Sequence, residues 1–234
     1  MNLFRKLIVL GICLIGCFSV RNSWALDMVF GANSYSVNVQ SFKERRFLNI
    51  IKQERDYSCG SAALATLLKY SYGQKNITES AVLNAMLKDG DKEKIKHEGF
   101  SMLDIKNYLT KVGLQSGGFR TSLDKLKAVG IPALALINNN GYMHFVVISG
   151  LVDNVVIIRD PAFGNRTMNR KEFEKTWNGI LFVIVDNKQE ARKNFQYKYA
   201  WGERKNDLGY EMLNTNYLTD SALQSVYTSN YFNF

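Results

Sequence analysis

The spacing of apolar residues changes near the middle of the chain. Between residues 61 and 130, apolar positions recur every three to four residues, which is the period of a helix with one buried face. Four helices are therefore predicted in this part. They cover 61–72, 78–90, 101–113 and 121–130. The last three each begin near a Ser or Thr that can cap the first turn, and each ends at a glycine.

The second half of the chain favours strands. Three segments rich in β-branched residues are separated by turns of Asn and Gly, so they are predicted as neighbouring antiparallel strands. They cover 131–139, 142–152 and 154–162. A short helix is predicted next at 169–179, then a last strand at 180–187, and one more short strand at 48–52. Helices followed by an antiparallel sheet predict an α+β domain of two packed layers.

Residues 1–25 have the pattern of an export signal. Arg5 and Lys6 precede an apolar run over 7–20, and small residues stand before a cleavage site after Ala25. The run is shorter than the roughly 20 residues that a transmembrane helix needs. We therefore expect the mature protein to act outside the cytoplasm, in a periplasm.

The signal leaves a second possibility open. The letters "LIGC", which end at Cys17, also resemble a lipoprotein box. In that case Cys17 would be acylated as the first mature residue, and only then would the protein be anchored to a membrane.

Beyond the signal, the pattern divides the chain into three parts. Residues 26–48 are polar and are predicted to be an extended lead-in with one strand. Residues 49–188 contain the strongly periodic segments and form the predicted domain. Residues 189–234 are a polar, Tyr-rich extension of unknown role, in which 218–227 is a weak helix candidate.

Composition and charge exclude some classes of function. The chain has 234 residues, 46% of them hydrophobic, which is enough for one domain with a core and short for two. From Leu26 onward there are 27 basic and 21 acidic residues, a net charge of +6. Because the two signs are interleaved, the pattern is typical of solvated helix faces, and no nucleic-acid partner is expected.

Cys59 is the first candidate for chemistry. After cleavage at Ala25 it is the only cysteine, so the mature chain cannot form an intramolecular disulfide. It stands just before the helix predicted at 61–72, where the first amides of a helix stabilise a thiolate. Gly60 next to it would let a substrate backbone approach closely. A buried core thiol is the alternative, but an unpaired thiol in an oxidising compartment favours a nucleophile.

A nucleophilic cysteine needs a base, and the chain has two histidines. His97 lies in a charged stretch and is interpreted as a surface residue. His144 alternates with apolar residues in the strand predicted at 142–152, and Asp160 ends the next strand before a proline that keeps it extended. If these strands pair through the turn at 153–154, Asp160 can orient the imidazole, as the acid does in other nucleophile–His–acid triads.

Attack on a carbonyl also creates an oxyanion that needs hydrogen-bond donors. The backbone amide of Cys59 is one candidate donor, and the side-chain amide of Gln53, six residues upstream, is the other. One cysteine and two separated histidines form no metal-ligand cluster, and no glycine-rich phosphate loop occurs. The sequence therefore predicts no metal and no cofactor.

The order and spacing of these residues resemble a known family. The pattern Q-x5-C-G-x-A-x-L beginning at Gln53, then HFVV from His144, then DP at Asp160, is similar to the bacteriocin-processing, double-glycine-type cysteine peptidases (peptidase C39). The resemblance covers about residues 49–186 and implies a papain-like fold. It implies that Cys59 is the nucleophile, His144 the general base and acid, Asp160 its orienting group and Gln53 the oxyanion-hole donor.

The resemblance makes an exported cysteine peptidase the expected function. It implies a peptide or protein substrate, with a Gly-Gly-type leader among the options, and an accessory role beside machinery that secretes or assembles peptides, fimbriae or amyloid fibres. Two alternatives stay open at this stage. One is a catalytically silent peptide-binding or chaperone-like module of the same fold. The other is a cell-wall amidase or transpeptidase, which would share the acyl-enzyme with a peptidase.

Overall fold

The computed structural model describes residues 25–30, 33–38 and 41–195. Most of the predicted signal, including Cys17, and the helix predicted at 218–227 lie outside the described residues. The described chain belongs to two compact units, one that ends at Phe42 and one that begins at Lys43.

The N-terminal unit contains a two-stranded antiparallel hairpin. Strand β1 (Ala25–Phe30) pairs with β2 (Asn33–Asn38), so that Ala25 lies opposite Asn38 and Phe30 opposite Asn33. The lead-in, predicted with one strand, therefore has two.

The helices lie mainly where the apolar period places them. In chain order they are α1 (Phe42–Arg46), α2 (Cys59–Ser71), α3 (Glu79–Asp89), α4 (Lys92–Glu98), α5 (Met102–Lys111), α6 (Leu123–Val129), α7 (Arg170–Thr176) and α8 (Lys188–Lys193). The hydroxyls of Thr78, Ser101 and Ser122 accept backbone hydrogen bonds at the starts of α3, α5 and α6, as predicted. No helix in the described ranges has the length and apolar character that a membrane crossing requires.

The main unit has one six-stranded antiparallel sheet. Its strands are β3 (Ser116–Arg120), β4 (Ala133–Asn139), β5 (Tyr142–Val152), β6 (Val155–Asp160), β7 (Gly164–Asn169) and β8 (Trp177–Ile184). They lie in the order β3-β8-β4-β5-β6-β7. Strands β5 and β6 pair through the turn at 153–154, with Val152 opposite Val155. The predicted neighbourhood of these two strands is confirmed.

Helix α2 forms the centre of the core. Eleven of its 13 residues are buried, and it packs with Phe145 and Val147 of β5 in one hydrophobic cluster. Side chains alternate across a strand, so Val146 and Ile148 point to the opposite face. There they pack in a second cluster that includes Phe173 of α7 and residues of α6. Helices therefore cover both faces of the sheet, and the prediction of only two layers was incomplete.

Some elements differ from the prediction. Residues 48–52 form no strand, because Asn49 adopts a left-handed conformation with φ of 59°. The amide of Ile51 donates instead to the hydroxyl of Thr66, at 2.9 Å. The short elements α1, α4, β3, β7 and α8 were not predicted, since each is short and largely polar or glycine-rich. Helix α1 lies in the lead-in that was predicted to be extended, so that prediction was wrong for residues 42–46. Beyond residue 188, Ala191 and Phe195 are buried, so packing continues into the part predicted as an extension.

Candidate active site

Cys59 lies at the first position of the buried helix α2. Its side chain is 3% exposed. The turn before it is held by Ser58, whose hydroxyl accepts from the Arg55 amide at 3.1 Å and donates to the Arg55 carbonyl at 2.9 Å. The first amide groups of a helix lack partners within the helix and carry partial positive charge. This position therefore places Cys59 beside backbone amide groups that are available as donors.

Gly60 allows close packing at the start of α2. It is buried, and a Cβ atom added there would lie 3.0 Å from Cβ of Phe100 and 3.4 Å from Cδ2 of Phe145. The absence of a side chain thus lets the start of α2 pack closely against its neighbours. The sequence-based interpretation, that Gly60 admits a substrate backbone, stays a prediction.

The structure brings His144 and Asp160 into direct contact. Nε2 of His144 lies 2.7 Å from Oδ1 of Asp160, and the two side chains are 2% and 0% exposed. The pairing of β5 with β6 explains the contact. Val147 is opposite Arg159, so Asp160, one residue further on, reaches His144 diagonally on the same face. The bond occupies one ring nitrogen and leaves Nδ1 for another partner.

Cys59 interacts with the same imidazole. Nδ1 of His144 is buried and has no hydrogen-bond partner among the described residues. Burial alone would lower the pKa of His144. Hydrogen bonding and charge interactions with Asp160 and Cys59 outweigh burial and raise this pKa to about 9. The thiol and the imidazole therefore interact, as a cysteine and its base must.

Asp160 is held from several directions. Its Oδ1 also accepts from the amides of Ala162 at 2.9 Å and Phe163 at 3.1 Å, and its Oδ2 accepts from Nε of Arg166 at 2.9 Å. Burial would raise the pKa of Asp160. The bond to His144, the positive charges of His144 and Arg166 and the backbone bond outweigh burial, so this pKa lies below its ordinary value. The carboxylate is therefore ionised beside the imidazole.

Two aromatic rings flank the imidazole. Tyr142 stacks on His144 with ring centroids 6.0 Å apart, and Phe163 lies tilted at the same distance. The Tyr142 hydroxyl donates to the carbonyl of Asp56, which links β5 to the loop before Cys59. Burial, together with the Cys59 and Asp56 charges, raises the pKa of Tyr142 to about 12. Tyr142 is half exposed, so it forms the solvent-facing rim of the site.

Gln53 lies beside the same turn. Its backbone amide donates to the carbonyl of Pro161 at 3.1 Å, next to Asp160. Its side-chain Nε2 donates to the carbonyl of Arg55 at 3.2 Å, and its Oε1 is buried without a partner among the described residues. An amide nitrogen has two hydrogens, so one remains for a further acceptor. The other histidine, His97, is exposed on α4, as expected for a surface residue.

Sequence reasoning missed Arg166 and Phe163. Both depend on the tight turn between β6 and β7, where Asp160 is opposite Gly164. The strand β7 carries no alternating apolar pattern, so nothing in the sequence placed these residues beside Asp160. Tyr142 had a signal, because it shares the strand alternation of His144.

Comparisons with known proteins identify the family of the chain. A family model described as the peptidase C39 family matches residues 48–189. The probable functional amyloid protease FapD of Pseudomonas fluorescens is 39% identical over 167 residues, which are 70% of this chain and 74% of that protein. The protein of the same name from Pseudomonas aeruginosa is 42% identical over 147 residues, 63% of this chain and 65% of that protein. The chain thus spans about three quarters of one relative and just under two thirds of the other.

A solved structure has the same fold. The peptidase domain of Streptococcus ComA, a bi-functional ABC transporter involved in a quorum-sensing pathway, aligns with a TM-score of 0.50. The alignment covers 58% of this chain and 97% of that domain at 20% identity. At this identity the likeness concerns the fold alone. Together with the helices and the antiparallel sheet, it confirms the predicted α+β, papain-like fold.

Proposed function

The chain belongs to the peptidase C39 family and is a cysteine peptidase, and we propose that Cys59, His144 and Asp160 cleave a peptide bond while Gln53 stabilises the oxyanion. The observation that carries this proposal is the arrangement around His144. One ring nitrogen bonds to Asp160 at 2.7 Å, the other has no hydrogen-bond partner among the described residues, and Cys59 at the start of helix α2 interacts with the same imidazole. That is the order of groups that nucleophilic catalysis by a cysteine requires.

The residues have defined tasks in the first half of the reaction. The Cys59 thiolate attacks the carbonyl carbon, a C–S bond forms, and the carbonyl electrons move to oxygen. The Cys59 amide and the second hydrogen of the Gln53 amide stabilise that oxyanion. The His144 imidazolium then protonates the leaving nitrogen as the C–N bond breaks, which leaves a thioester on Cys59.

The second half regenerates the enzyme. Neutral His144 takes a proton from water, and the resulting hydroxide forms a C–O bond with the thioester carbon. The C–S bond breaks, the product leaves as a carboxylic acid, and the Cys59 thiolate again faces a protonated His144. Asp160 keeps its charge throughout and stabilises each imidazolium that forms.

We also propose where and on what the enzyme acts. The names of the two Pseudomonas relatives support a substrate among the proteins of amyloid fibre assembly. The apolar run after Arg5 and Lys6 supports export to the periplasm, with membrane anchoring only after acylation of Cys17. N-terminal mass analysis of the protein from the periplasmic fraction tests this point. A mature chain beginning at Leu26 agrees with cleavage, an acylated Cys17 agrees with anchoring, and an intact Met1 in the cytoplasm contradicts export.

A cleavage assay with matched variants tests the function. The purified protein is incubated with proteome-derived peptides and with a recombinant amyloid-forming subunit that carries a Gly-Gly-type leader. Products are identified by mass spectrometry. We expect cleavage by the wild type and by His97→Ala, in which the exposed histidine is removed, and none by Cys59→Ala or His144→Ala. Wild-type cleavage that survives in Cys59→Ala would contradict the mechanism. Binding without any cleavage would instead favour the silent peptide-binding module.

A further inference from the structure

The second carboxylate oxygen of Asp160, Oδ2, does not contact His144 but binds Arg166. Its Oδ1 accepts from His144 and from two backbone amides, whereas Oδ2 accepts only one hydrogen bond among the described residues, from Nε of Arg166 at 2.9 Å. The Asp160 side chain is 0% exposed, so no solvent reaches Oδ2 to replace this bond. The orientation of the carboxylate therefore depends on Arg166.

The sheet places the three side chains in one line. His144, Asp160 and Arg166 come from the adjacent strands β5, β6 and β7 and lie on one face of the sheet. Arg166 is opposite Ile158 in the register of β6 and β7, so it reaches Asp160 diagonally, as Asp160 reaches His144. Each member of the line is thus held by main-chain pairing as well as by its side-chain bond.

The guanidinium is fixed by a second contact. Its central carbon lies 5.8 Å from the ring centroid of Phe163, and that ring lies 6.0 Å from the ring of His144. Arginine combines a permanent charge with a planar set of donors, so its position determines the plane of the carboxylate that it binds. Phe163 therefore supports both the guanidinium and the imidazole.

We propose that Arg166 is a positioning residue for the peptidase reaction: by binding Oδ2 it fixes the plane of the Asp160 carboxylate, and through it the imidazole of His144. The catalytic meaning of this inference rests on the proposed function. Without Arg166, Oδ2 is a buried anionic oxygen with no partner, and the carboxylate is free to rotate away from the geometry that holds Nε2. A misdirected imidazole then transfers protons poorly, although substrate still binds.

The chain offers a matched control in Arg170. This arginine is also in ion pairs, with Asp124 at 2.6 Å and Glu174 at 2.9 Å, and its side chain is 25% exposed, the same as that of Arg166. It joins α7 to α6 and contacts none of the site residues. Arg170→Met therefore removes an equally exposed, ion-paired guanidinium without touching Asp160.

The first measurement is steady-state peptide cleavage by the full chain. We expect Arg166→Met to lower kcat by about 10- to 100-fold, since the lost bond is charge-assisted, with KM within about twofold of wild type. Arg166→Lys keeps a charged donor and is expected to stay within about tenfold of wild type. Arg170→Met is expected to match the wild type. Thermal melting confirms that each variant is folded, and Arg166→Gln replaces Arg166→Met if the latter is not.

The second measurement needs no substrate. The proton shared by His144 Nε2 and Asp160 Oδ1 is expected at low field in the proton NMR spectrum, and the His144→Gln variant assigns it. We expect this signal to be lost or shifted in Arg166→Met and retained in Arg166→Lys and Arg170→Met. If Arg166→Met matches Arg170→Met in both kcat and this signal, the inference is wrong. If the wild type cleaves nothing, the proposed function fails, and the NMR signal alone still decides whether Arg166 positions Asp160.

Discussion

Asp160→Asn removes the negative charge beside His144 and replaces the oxygen that accepts from Arg166 by an amide nitrogen that only donates. Asparagine has nearly the same shape, and its Oδ1 can still accept from His144 and from the amides of Ala162 and Phe163. The negative charge disappears, so the imidazolium loses its main stabilising partner while burial still opposes it. This substitution should therefore lower the pKa of His144.

The structure sets the size of the effect. The wild-type pKa of about 9 lies above the ordinary 6.5, a difference that corresponds to about 3 kcal/mol in favour of the imidazolium. In Asp160→Asn we expect the pKa of His144 to fall to 6.5 or below. At pH 8 the protonated fraction would then drop from about 90% to a few per cent, about 3% at most.

NMR of the imidazole groups measures this directly. The chain has only two histidines, so a His97→Gln variant assigns every imidazole signal to His144. Asp124→Asn is the matched control, because it removes another carboxylate that pairs with an arginine, far from the site. We expect the control to leave the pKa of His144 unchanged. A wild-type pKa below 6.5, or an Asp160→Asn value within about half a unit of wild type, would refute this account of the electrostatics.

Three more changes have expected outcomes. Because the pKa of His144 is raised in the folded protein, protonated His144 stabilises the fold fully below pH 6.5, and this contribution is lost as pH rises through about 9. In urea denaturation, the free energy of unfolding of the wild type should therefore fall by up to about 3 kcal/mol across this range, and that of Asp160→Asn should change less. Gln53→Ala should lower kcat by about 10²- to 10³-fold in the cleavage assay, whereas Gln74→Ala, at an exposed glutamine, should leave kcat unchanged. Equal kcat values for the two variants would show that Gln53 does not stabilise the oxyanion. Gly164→Ala should lower the free energy of unfolding by more than about 2 kcal/mol, because φ is 83° and the new Cβ would lie 2.6 Å from the Arg46 carbonyl oxygen. Gly73 has φ of 73° and open space around it, so Gly73→Ala should lower the free energy of unfolding by only about 1 kcal/mol. Equal decreases in the two variants would contradict the role of the Arg46 contact.

The sequence carried the parts of the site that follow from local patterns. The position of Cys59 at the start of a helix could be predicted, because the small and apolar residues after it have the period of a helix. His144 and Asp160 were readable because strand alternation and a short turn bring neighbouring strands together. These features depend on residues close along the chain, and the structure has them where the patterns predicted.

Other parts depend on contacts between distant segments. Arg166 reaches Asp160 only because β6 and β7 form a tight hairpin, and β7 lacks an apolar alternation that would reveal a strand. Gly60 is small because Phe100, some forty residues later, packs against it. The second apolar layer, with Phe173, required knowledge of which face of the sheet α7 covers. Such relations arise from tertiary packing, which a single sequence does not display.

In the proposed mechanism, Cys59 attacks the substrate carbonyl and holds the acyl part of the substrate as a thioester. The direct measurement is acid quenching of the cleavage reaction followed by mass spectrometry of the intact protein and of its peptides. We expect a transient mass increase, equal to the acyl part of the substrate, on the peptide that contains Cys59. Hydroxylamine should release this acyl group from Cys59. Cleavage that proceeds with no adduct on Cys59, and at the same rate in Cys59→Ala, would contradict the account.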